Sequence, residues 1–335
     1  MKVCGRRFEM TLAPYECVVM EISAAAESEY TEKHENVSEI IDIYGIEFET
    51  ADKNIALPDV YKVKGDAAEK IIKARREYNP KKVCDIAAEL EQDELVACRG
   101  FAIGDLPVKA KHDWFGWFPI DKKPITMGET VVCVYDFTLD FIPRDLEMIA
   151  DPTFNTVWYL NGEQLYPESV RRVWHYANQV YNLREAVKIG TNRMISISTV
   201  PECDKSFPVP CAMIRGEFRV YSDFIITDKE VPSRMDFWNG QGYALYAGDG
   251  IYTARFVMNE KKRVKIALET SDVTEIFVNG KPVAKRLWEP YEADITDYVS
   301  EGENTLEMRV TSTYSNFIYN SNPSGIKAVK IFTLE

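Results

Sequence analysis

Short runs of alternating apolar and polar residues dominate the chain from about residue 130 to its end. In residues 264–269, for example, Val264, Ile266 and Leu268 fall on one face of an extended segment. Such runs are bounded by Gly, Pro, Asn and Asp, which favour turns. The pattern predicts antiparallel strands with one face in a core and the other in water.

A helical pattern is confined to a short stretch near residues 66–95. Asp66 and Glu69 have the spacing of a capped helix start, and Asn79-Pro80 follows as the end of this helix. A second helix is predicted over residues 83–90. The predicted fold class is therefore mostly β, with a short helical insertion.

The same order of signals occurs twice along the chain. Residues 145–162 align without a gap with residues 263–280, and both segments predict a strand, a turn, a second strand and an Asn-Gly turn. A second, shorter match aligns Asn192 with Asn304, each at the start of another alternating strand. One Asn-Gly turn indicates only a β-hairpin, but two such features in the same order indicate a duplicated domain.

A charged, proline-containing stretch near residue 230 separates the two copies. We therefore predict that residues 25–228 form the first sandwich, including the helical insertion, and that residues 229–335 form the second. Residues 1–24 fit neither copy. They predict two strands that cannot bury a face alone, and we assign them to the end of a preceding domain.

Composition excludes several classes of function. The 335 residues include 40 Lys and Arg against 53 Asp and Glu, and the resulting net charge of −13 repels nucleic-acid phosphates and anionic lipids. No apolar run has the ~20 residues of a spanning helix, and the start lacks the apolar stretch of a signal peptide. We therefore expect neither nucleic acid nor a membrane as a partner.

Cysteine usage favours a reducing compartment. The seven cysteines are an odd number with no CxxC pair, and several lie in apolar runs where a free thiol behaves as a small hydrophobe. We expect a cytoplasmic location. If this chain is part of a longer protein, an export signal would lie in the missing N-terminal part, and the start of this sequence says nothing about export. Only the cysteines then support a cytoplasmic location.

Residues 277–310 contain the motifs by which the chain resembles a known class of protein. The segments FVNGKPV, WEPYEADITDYV and EGENTLEMRV follow one another there. This order resembles the galactose-binding-like sandwiches in the C-terminal accessory regions of large glycoside hydrolases. The resemblance is first to family 106 α-L-rhamnosidase-like proteins and next to the sugar-binding domains of family 2 enzymes. It implies tandem jelly-roll sandwiches, a carbohydrate ligand and a catalytic domain elsewhere in the parent polypeptide.

The resemblance is best over residues 130–335 and has no counterpart for the helical stretch. The strand-helix alternation of a catalytic (β/α)-barrel does not occur in the pattern. The predicted function is a noncatalytic carbohydrate-binding or cleft-shaping C-terminal region of a glycoside-hydrolase-like protein. Two alternatives stay open. One is a purely structural pair of sandwiches that supports a catalytic domain or an oligomer, and the other is a glycoside hydrolase in its own right.

Three clusters are candidates for sugar contacts, because a pyranose packs its C–H face on an aromatic ring and hydrogen-bonds through its hydroxyls. The candidate residues are Trp288, Glu289, Tyr291 and Asp294 in the first cluster, Trp238 and Tyr246 in the second, and Tyr314 and Asn316 in the third. The alternative is that these aromatics fill the ends of the sandwiches or the contact between them. Exposure of both Trp288 and Tyr291 favours binding, and burial of both favours the structural role.

Catalytic and metal-binding signals are weak. Glu289 and Asp236 each lie beside an aromatic residue that could raise a carboxyl pKa, but 53 acidic residues make such neighbours common. We therefore assign no catalytic residue. No cofactor is predicted either. A structural calcium ion held by Asp249 and Asp272 is a lesser alternative, since the chain has no EF-hand-type loop.

Overall fold

The computed structural model describes residues 36–100, 117–119, 128–151, 155–173, 177–199, 209–313 and 324–335, together with short strands at residues 2–3 and 6–7. The strands in chain order are β1 (Lys2–Val3), β2 (Arg6–Arg7), β3 (Val37–Ile41), β4 (Ile43–Thr50), β5 (Asn54–Ala56), β6 (Asp59–Val63), β7 (Leu95–Gly100), β8 (Trp117–Pro119), β9 (Thr130–Leu139), β10 (Leu146–Ala150), β11 (Thr156–Leu160), β12 (Glu163–Leu165), β13 (Ser169–Arg171), β14 (Asn178–Asn182), β15 (Gly190–Thr199), β16 (Ala212–Gly216), β17 (Arg219–Val220), β18 (Ile225–Thr227), β19 (Asp249–Met258), β20 (Val264–Glu269), β21 (Val273–Val278), β22 (Lys281–Arg286), β23 (Glu292–Asp294), β24 (Gly302–Thr311) and β25 (Ala328–Leu334). The helices are α1 (Gly65–Arg76) and α2 (Pro80–Ala88), and short 3-10 turns occur at Gln92–Glu94 and Trp238–Gln241. The predicted mostly β class is confirmed.

Two facing sheets form the first sandwich. One has the strand order β13-β14-β10-β16-β5, and the other has the order β12-β11-β15-β9-β6-β7-β8, with β18 parallel to β9. Side chains from both sheets meet in one core, including Tyr135, Met148, Trp158 and Ile214. The rings of Tyr135 and Trp158 pack with their centroids 5.0 Å apart. Burial of these large apolar side chains is the main stabilising contribution to the sandwich.

Helices α1 and α2 cover the outer face of the larger sheet. Ile71 on α1 and Val83 on α2 pack in one cluster with Val134 and Ile197 of the sheet. The alternate residues of β9 instead enter the core between the two sheets. Because β9 is buried on both faces, residues 131–135 form a continuous apolar run in the sequence.

The predicted helical insertion is confirmed, but its internal boundaries differ. The N-cap residue of α1 is Lys64, which makes no side-chain capping hydrogen bond, so the predicted capped start is wrong. Asn79 begins the second helix rather than only ending the first. Its Oδ1 accepts a hydrogen bond from the backbone N of Lys82 at 3.0 Å, and Pro80 lies in the first turn of α2.

The second sandwich combines the sheets β22-β21-β24-β19-β4 and β23-β20-β25-β3. Its core includes the fully buried side chains of Trp238, Tyr252, Phe256 and Met308. Strands β3 and β4 pair with β25 and β19, although they precede the first sandwich in sequence. The second sandwich is therefore built from two separated parts of the chain, and the first sandwich lies between them.

This pairing differs from the predicted assignment of residues 25–228 to the first sandwich. Residues 37–50 lie in sheets of the second sandwich, and the first strand of the first sandwich is β5. Alternation along a strand shows which face is buried but not which sheet the strand joins. Of residues 1–24, the structure describes only β1 and β2, which pair with each other, so their assignment to a preceding domain stays a prediction.

The duplicated pattern corresponds to equivalent strands in the two sandwiches. Strands β10, β11 and β15 match β20, β21 and β24 in order along the chain. Both Asn-Gly turns have the positive φ angles of a type I′ turn, 46° and 96° at Asn161 and Gly162 and 52° and 73° at Asn279 and Gly280. The repeat in the sequence is thus a repeat of hairpins in the fold.

A buried asparagine explains the second half of the repeat. Asn304 Oδ1 accepts hydrogen bonds from the backbone N of Ser300 at 2.8 Å and from Asn279 Nδ2 at 2.8 Å. Its Nδ2 donates to the carbonyl oxygens of Ser300 at 2.8 Å and Gly302 at 3.0 Å. The side chain of Asn304 therefore joins the Asn-Gly turn to the turn that opens β24.

Asn192 makes the same four bonds in the first sandwich. Its Oδ1 accepts from the backbone N of Lys188 at 2.9 Å and from Asn161 Nδ2 at 2.9 Å. Its Nδ2 donates to the carbonyl oxygens of Lys188 at 2.7 Å and Gly190 at 3.0 Å. The two asparagines are equivalent structural residues, which is why the pattern occurs twice.

Candidate functional site

Four segments meet at one end of the second sandwich, which we call the loop end: residues 236–241, 269–273, 287–291 and 324–327. The backbone N of Trp238 donates a hydrogen bond to the carbonyl oxygen of Ser324 at 2.9 Å. The backbone N of Gly325 donates to Asp272 Oδ2 at 2.8 Å. These bonds join three of the four segments. The fourth segment begins at the same end, because Arg286 at the end of β22 pairs with Thr274 at the start of β21.

The segment 287–291 places one aromatic side chain at the surface and another in the core. Trp288 is 45% exposed, and Leu287 beside it is 49% exposed. Tyr291 is buried, and its carbonyl oxygen accepts a hydrogen bond from the backbone N of Leu268 at 2.9 Å. Trp288 therefore lies on a surface loop whose end is fixed to β20. The coplanar, exposed pair of Trp288 and Tyr291 that would favour binding is not formed.

Two carboxylates, those of Asp272 and Glu289, lie near Tyr291 at the loop end. Burial raises the pKa of Asp272 above its ordinary value, although hydrogen bonds from Gly325 and Ser324 lower it. Burial also raises the pKa of the Tyr291 phenol, and the charges of Asp272 and Glu289 raise it further. Both carboxylates thus lie close enough to act on Tyr291. In the sequence, Asp272 is a candidate only as a metal ligand, because its position near Tyr291 depends on the fold.

Substitution of Asp272 by asparagine tests this electrostatic environment. A carboxyl with a raised folded-state pKa is more stable protonated, so its stabilising contribution is present at low pH and is lost as pH rises through that pKa. The amide of D272N keeps an acceptor for Gly325 and carries no charge. We expect the stability of D272N relative to wild type to be greater near about pH 7 than near about pH 4. Urea denaturation of both proteins over this range measures it, and a pH-independent difference would contradict the raised pKa.

Trp238 and Tyr246, both predicted as sugar contacts, are fully buried. The ring of Trp238 packs with its centroid 5.2 Å from that of Tyr246 and 6.2 Å from that of Phe48. The Tyr246 hydroxyl donates to the carbonyl oxygen of Asp249 at 3.0 Å and accepts from the backbone N of Asp52 at 3.2 Å. These contacts agree with the alternative interpretation, in which large aromatics fill the end of a sandwich and its contact with the segment between β4 and β5.

Asp294 does not lie with Trp288. It accepts hydrogen bonds from the backbone N of Thr296 at 3.0 Å and from Arg263 Nε at 3.3 Å, at the opposite end of β23. Although burial raises it, these hydrogen bonds hold the pKa of Asp294 below its ordinary value. Asp294 is therefore a surface ion-pair partner in this structure.

Neither carboxylate considered for catalysis has the surroundings of a general acid. Asp236 Oδ2 accepts from Arg234 Nη2 at 2.7 Å, and its Oδ1 accepts from the backbone N of Phe237 at 2.9 Å. Glu289 is exposed. A general acid in glycoside hydrolysis needs an environment that keeps its carboxyl protonated. The geometry gives no reason to assign a catalytic residue.

The third cluster, with Tyr314 and Asn316, lies outside the described residues. Within the described ranges, no group of three or more His, Cys, Asp or Glu side chains converges as metal ligands do. Asp249 and Asp272, the candidates for a calcium site, accept hydrogen bonds from Thr311 Oγ1 at 2.7 Å and from the backbone N of Gly325 at 2.8 Å. None of the described helices is long and apolar enough to cross a bilayer.

A groove of about 400 Å³ lies where the two sandwiches meet, between residues 50–54, 216–219 and Tyr243. No single stretch of the sequence indicates this groove, because three separate segments form it. The Arg219 guanidinium carbon lies 4.5 Å from the centroid of the Tyr243 ring. A side chain of the first sandwich, Arg219, thus stacks on a side chain of the second, Tyr243. Arg219 also pairs with Glu230 at 3.5 Å. The groove is thus part of a structured contact between the sandwiches.

The fold and the loop end define a mostly β protein of two joined sandwiches, one of which presents an exposed tryptophan next to the exposed Glu289. No family model matches the chain. A protein of Formosa agariphila named "Putative beta-glucuronidase" is 32% identical over 124 residues, which are 33% of this chain and 10% of that protein. The chain therefore matches only a small part of this curated relative. The match bears out the resemblance to glycoside hydrolases that the sequence motifs indicated.

Solved structures with partial similarity include enzymes of the same broad class. A rhamnosidase from Novosphingobium sp. PP1Y is 16% identical, with 62% of this chain and 23% of that chain covered and a TM-score of 0.28. A family 2 glycosyl hydrolase from Bacteroides cellulosilyticus is 13% identical, with 78% and 32% covered and a TM-score of 0.30. A Ruminococcus gnavus β-glucuronidase is 11% identical, with 79% and 39% covered and a TM-score of 0.30. Scores at this level carry no argument about function.

Proposed function

We propose that this chain is a noncatalytic accessory region of a glycoside-hydrolase-like protein and that its loop end binds carbohydrate. The observation that carries the proposal is the 45% exposure of Trp288 on a loop that also holds Glu289 and lies near Asp272. An exposed indole face and neighbouring hydrogen-bond acceptors are the groups that a pyranose ring needs.

The sequence match to the Formosa agariphila protein supports the proposed context. That protein is named as a sugar-cleaving enzyme, and the 124 matched residues are 10% of its length. We therefore propose that the partners of this chain are a carbohydrate and the catalytic domain of a parent polypeptide. In this arrangement the second sandwich holds or orients a glycan chain, and the catalytic domain supplies the chemistry.

A purely structural role is the second candidate, and the contact between the sandwiches supports it. The buried side chain of Asn54, in the first sandwich, donates from Nδ2 to the carbonyl oxygens of Phe218 at 3.0 Å and Gly242 at 2.7 Å. Gly242 also accepts from the backbone N of Val220 at 2.8 Å. Such hydrogen bonds fix the two sandwiches against each other and suit a rigid support for another domain.

Replacement of Trp288 by alanine separates the two candidates. If the indole stacks on a sugar, its removal costs about 2 kcal/mol, and the dissociation constant rises by about thirtyfold. We expect this loss in calorimetric titrations of the full chain with rhamnose-, galactose- and glucuronate-containing oligosaccharides. Tyr166→Ala is the matched control, because it removes an aromatic side chain that is 68% exposed on the first sandwich. It should leave affinity unchanged.

Two outcomes would argue against the proposed site. Unchanged affinity in Trp288→Ala would place the sugar elsewhere on the chain. An absence of binding by the wild-type chain across the whole panel would favour the structural role.

A further inference from the structure

We propose that the groove between the two sandwiches is a second saccharide site, separate from the loop end. The groove has a volume of about 400 Å³ and is bordered by residues 50–54 and 216–219 and by Tyr243. Ligand pockets typically have volumes of about 300–1,000 Å³, and they are frequent where two domains meet. The inference goes beyond the proposed function, because it depends on neither Trp288 nor the loop end.

Hydrogen bonds fix both walls of the groove. In the segment that joins β4 to β5, the backbone N of Ala51 donates to the carbonyl oxygen of Asp249 at 2.9 Å. On the opposite wall, the backbone N of Glu217 donates to Asp145 Oδ1 at 3.2 Å. A site whose walls are already ordered binds a ligand without the entropic cost of fixing loops.

Gly242 allows Arg219 to lie on the ring of Tyr243. The φ angle of Gly242 is 85°, and a Cβ at this position would lie 2.8 Å from Arg219 Cβ. The guanidinium carbon of Arg219 is 4.5 Å from the centroid of the Tyr243 ring and covers one of its faces. Because this face is not available to a sugar ring, a ligand in the groove must be recognised by hydrogen bonds.

The Tyr243 hydroxyl is the polar group that distinguishes this groove. Tyr243 is 6% exposed, and its hydroxyl makes no hydrogen bond to another residue that the structure describes. The oxygen is not one of the fully buried polar atoms without a partner in the same residues, so solvent reaches it. Since Tyr243 borders the groove, its hydroxyl can both donate to and accept from a ligand there.

Charges of both signs line the groove and largely cancel. Asp52 forms an ion pair with Arg215, and Lys53 forms one with Asp145. Glu217 is exposed and has no ion pair within the described part of the chain. No group of His, Cys, Asp or Glu side chains converges there as metal ligands do. The groove therefore offers no surplus of positive charge to an anion and no ligand set to a metal ion.

A neutral saccharide fits this combination of groups. Each of its hydroxyls can donate and accept a hydrogen bond, and the molecule carries no net charge. The ammonium of Lys53 and the hydroxyl of Tyr243 are donors, and the carboxylates of Asp52 and Glu217 are acceptors. The inferred ligand is thus a neutral saccharide held by hydrogen bonds to both walls.

Tyr243→Phe tests the site with a minimal change. The variant loses only the hydroxyl, and because this hydroxyl has no partner among the described residues, the midpoint of urea denaturation should stay as in wild type. Loss of one hydrogen bond to the ligand should raise the dissociation constant of the groove by about tenfold. Tyr166→Phe is the matched control, because it removes the hydroxyl of an exposed tyrosine on the first sandwich. It should change neither stability nor affinity.

Calorimetric titrations of the full chain with rhamnose- and galactose-containing trisaccharides measure the affinities and the number of sites. We expect the groove to keep binding in Trp288→Ala and to bind more weakly when Tyr243→Phe is added. Glu217→Gln is a second variant, in case Tyr243→Phe is less stable than wild type. It removes an exposed charged acceptor, keeps the backbone bond of residue 217 and should also weaken binding. Inorganic phosphate and calcium chloride, titrated in the same way, should not compete with the saccharide.

The groove and the loop end can fail separately. Saccharide binding that is unchanged in both Tyr243→Phe and Glu217→Gln but lost in Trp288→Ala overturns this inference and leaves the proposed function in place. Binding that is unchanged in Trp288→Ala and weakened in Tyr243→Phe supports the groove and argues against the loop end. Competition by phosphate or calcium overturns the neutral saccharide as the ligand of the groove. Absence of binding to every trisaccharide overturns both sites.

Discussion

Replacing Asn304 by alanine is expected to lower the free energy of unfolding by about 3–5 kcal/mol. The side chain is almost completely buried, makes the four hydrogen bonds that have equivalents at Asn192, and accepts a further one from Ser300 Oγ at 3.3 Å. Its removal takes one hydrogen-bond partner from each of four groups in a place that water reaches poorly: Asn279 Nδ2, which keeps its bond to the carbonyl oxygen of Tyr298, the backbone N of Ser300, and the carbonyl oxygens of Ser300 and Gly302. Each buried group that loses its partner costs about 1 kcal/mol or more.

The duplicated fold provides a matched variant in the same chain. Asn192→Ala removes the same four bonds from the first sandwich and should cost a similar amount. Denaturation followed by circular dichroism measures both. If the sandwiches unfold as one unit, both variants lower the midpoint of the same unfolding transition. If the sandwiches unfold separately, each variant lowers the midpoint of a different transition.

An exposed asparagine serves as the control. Asn36→Ala makes the same chemical change at a surface side chain and should alter stability by less than about 0.5 kcal/mol. A loss in Asn304→Ala no larger than that in Asn36→Ala would show that the buried network does not stabilise the turn.

The local features of this fold were predictable because they depend on neighbouring residues. The Asn-Gly turns follow from the φ angles that these two residues tolerate, and the strand faces follow from alternation. The apolar run at residues 131–135 is typical of a buried strand, but the core and the helical layer that cover its two faces depend on the fold. Sequence patterns specify what a segment prefers, and tertiary packing decides what covers it.

The pairing of β3 and β4 shows where sequence patterns fail. Strand β4 pairs with β19, for example Thr50 with Gly250, and β3 pairs with β25, for example Ile41 with Ile331. Nothing in the alternation of β3 and β4 distinguishes the two sandwiches. The same limit applies to the candidate site. Asp272 and Tyr291 come together through the ends of strands, whereas the motif around Trp288 alone suggested Asp294 as a neighbour.

Two glycines are the feature of the sequence that is connected with the burial of Trp238. A glycine inside a strand often marks the close approach of another group. Gly250 lies in β19, and a Cβ there would be 2.8 Å from the Trp238 ring; a Cβ at Gly325 would be 2.7 Å from the same ring. Both glycines thus make room for the buried indole, and their role becomes visible only when the partner is known.

Replacement of Trp238 by alanine is therefore expected to destabilise the second sandwich by about 3–5 kcal/mol, because it removes a large side chain from a packed core. Its ring contacts Phe48 on β4 and Tyr246, so the cavity would also loosen the strand that leads to the first sandwich. Thermal or urea denaturation measures the loss.

The exposed tryptophan gives the matched control for this prediction. Trp288→Ala deletes the same side chain from the surface and should change stability by less than about 0.5 kcal/mol while it weakens sugar binding. Trp238→Phe, which keeps an aromatic ring in the core, should recover part of the stability lost in Trp238→Ala. If Trp238→Ala is instead as stable as wild type and loses sugar binding, the indole contacts the ligand directly, and its burial in the core is not the state that binds.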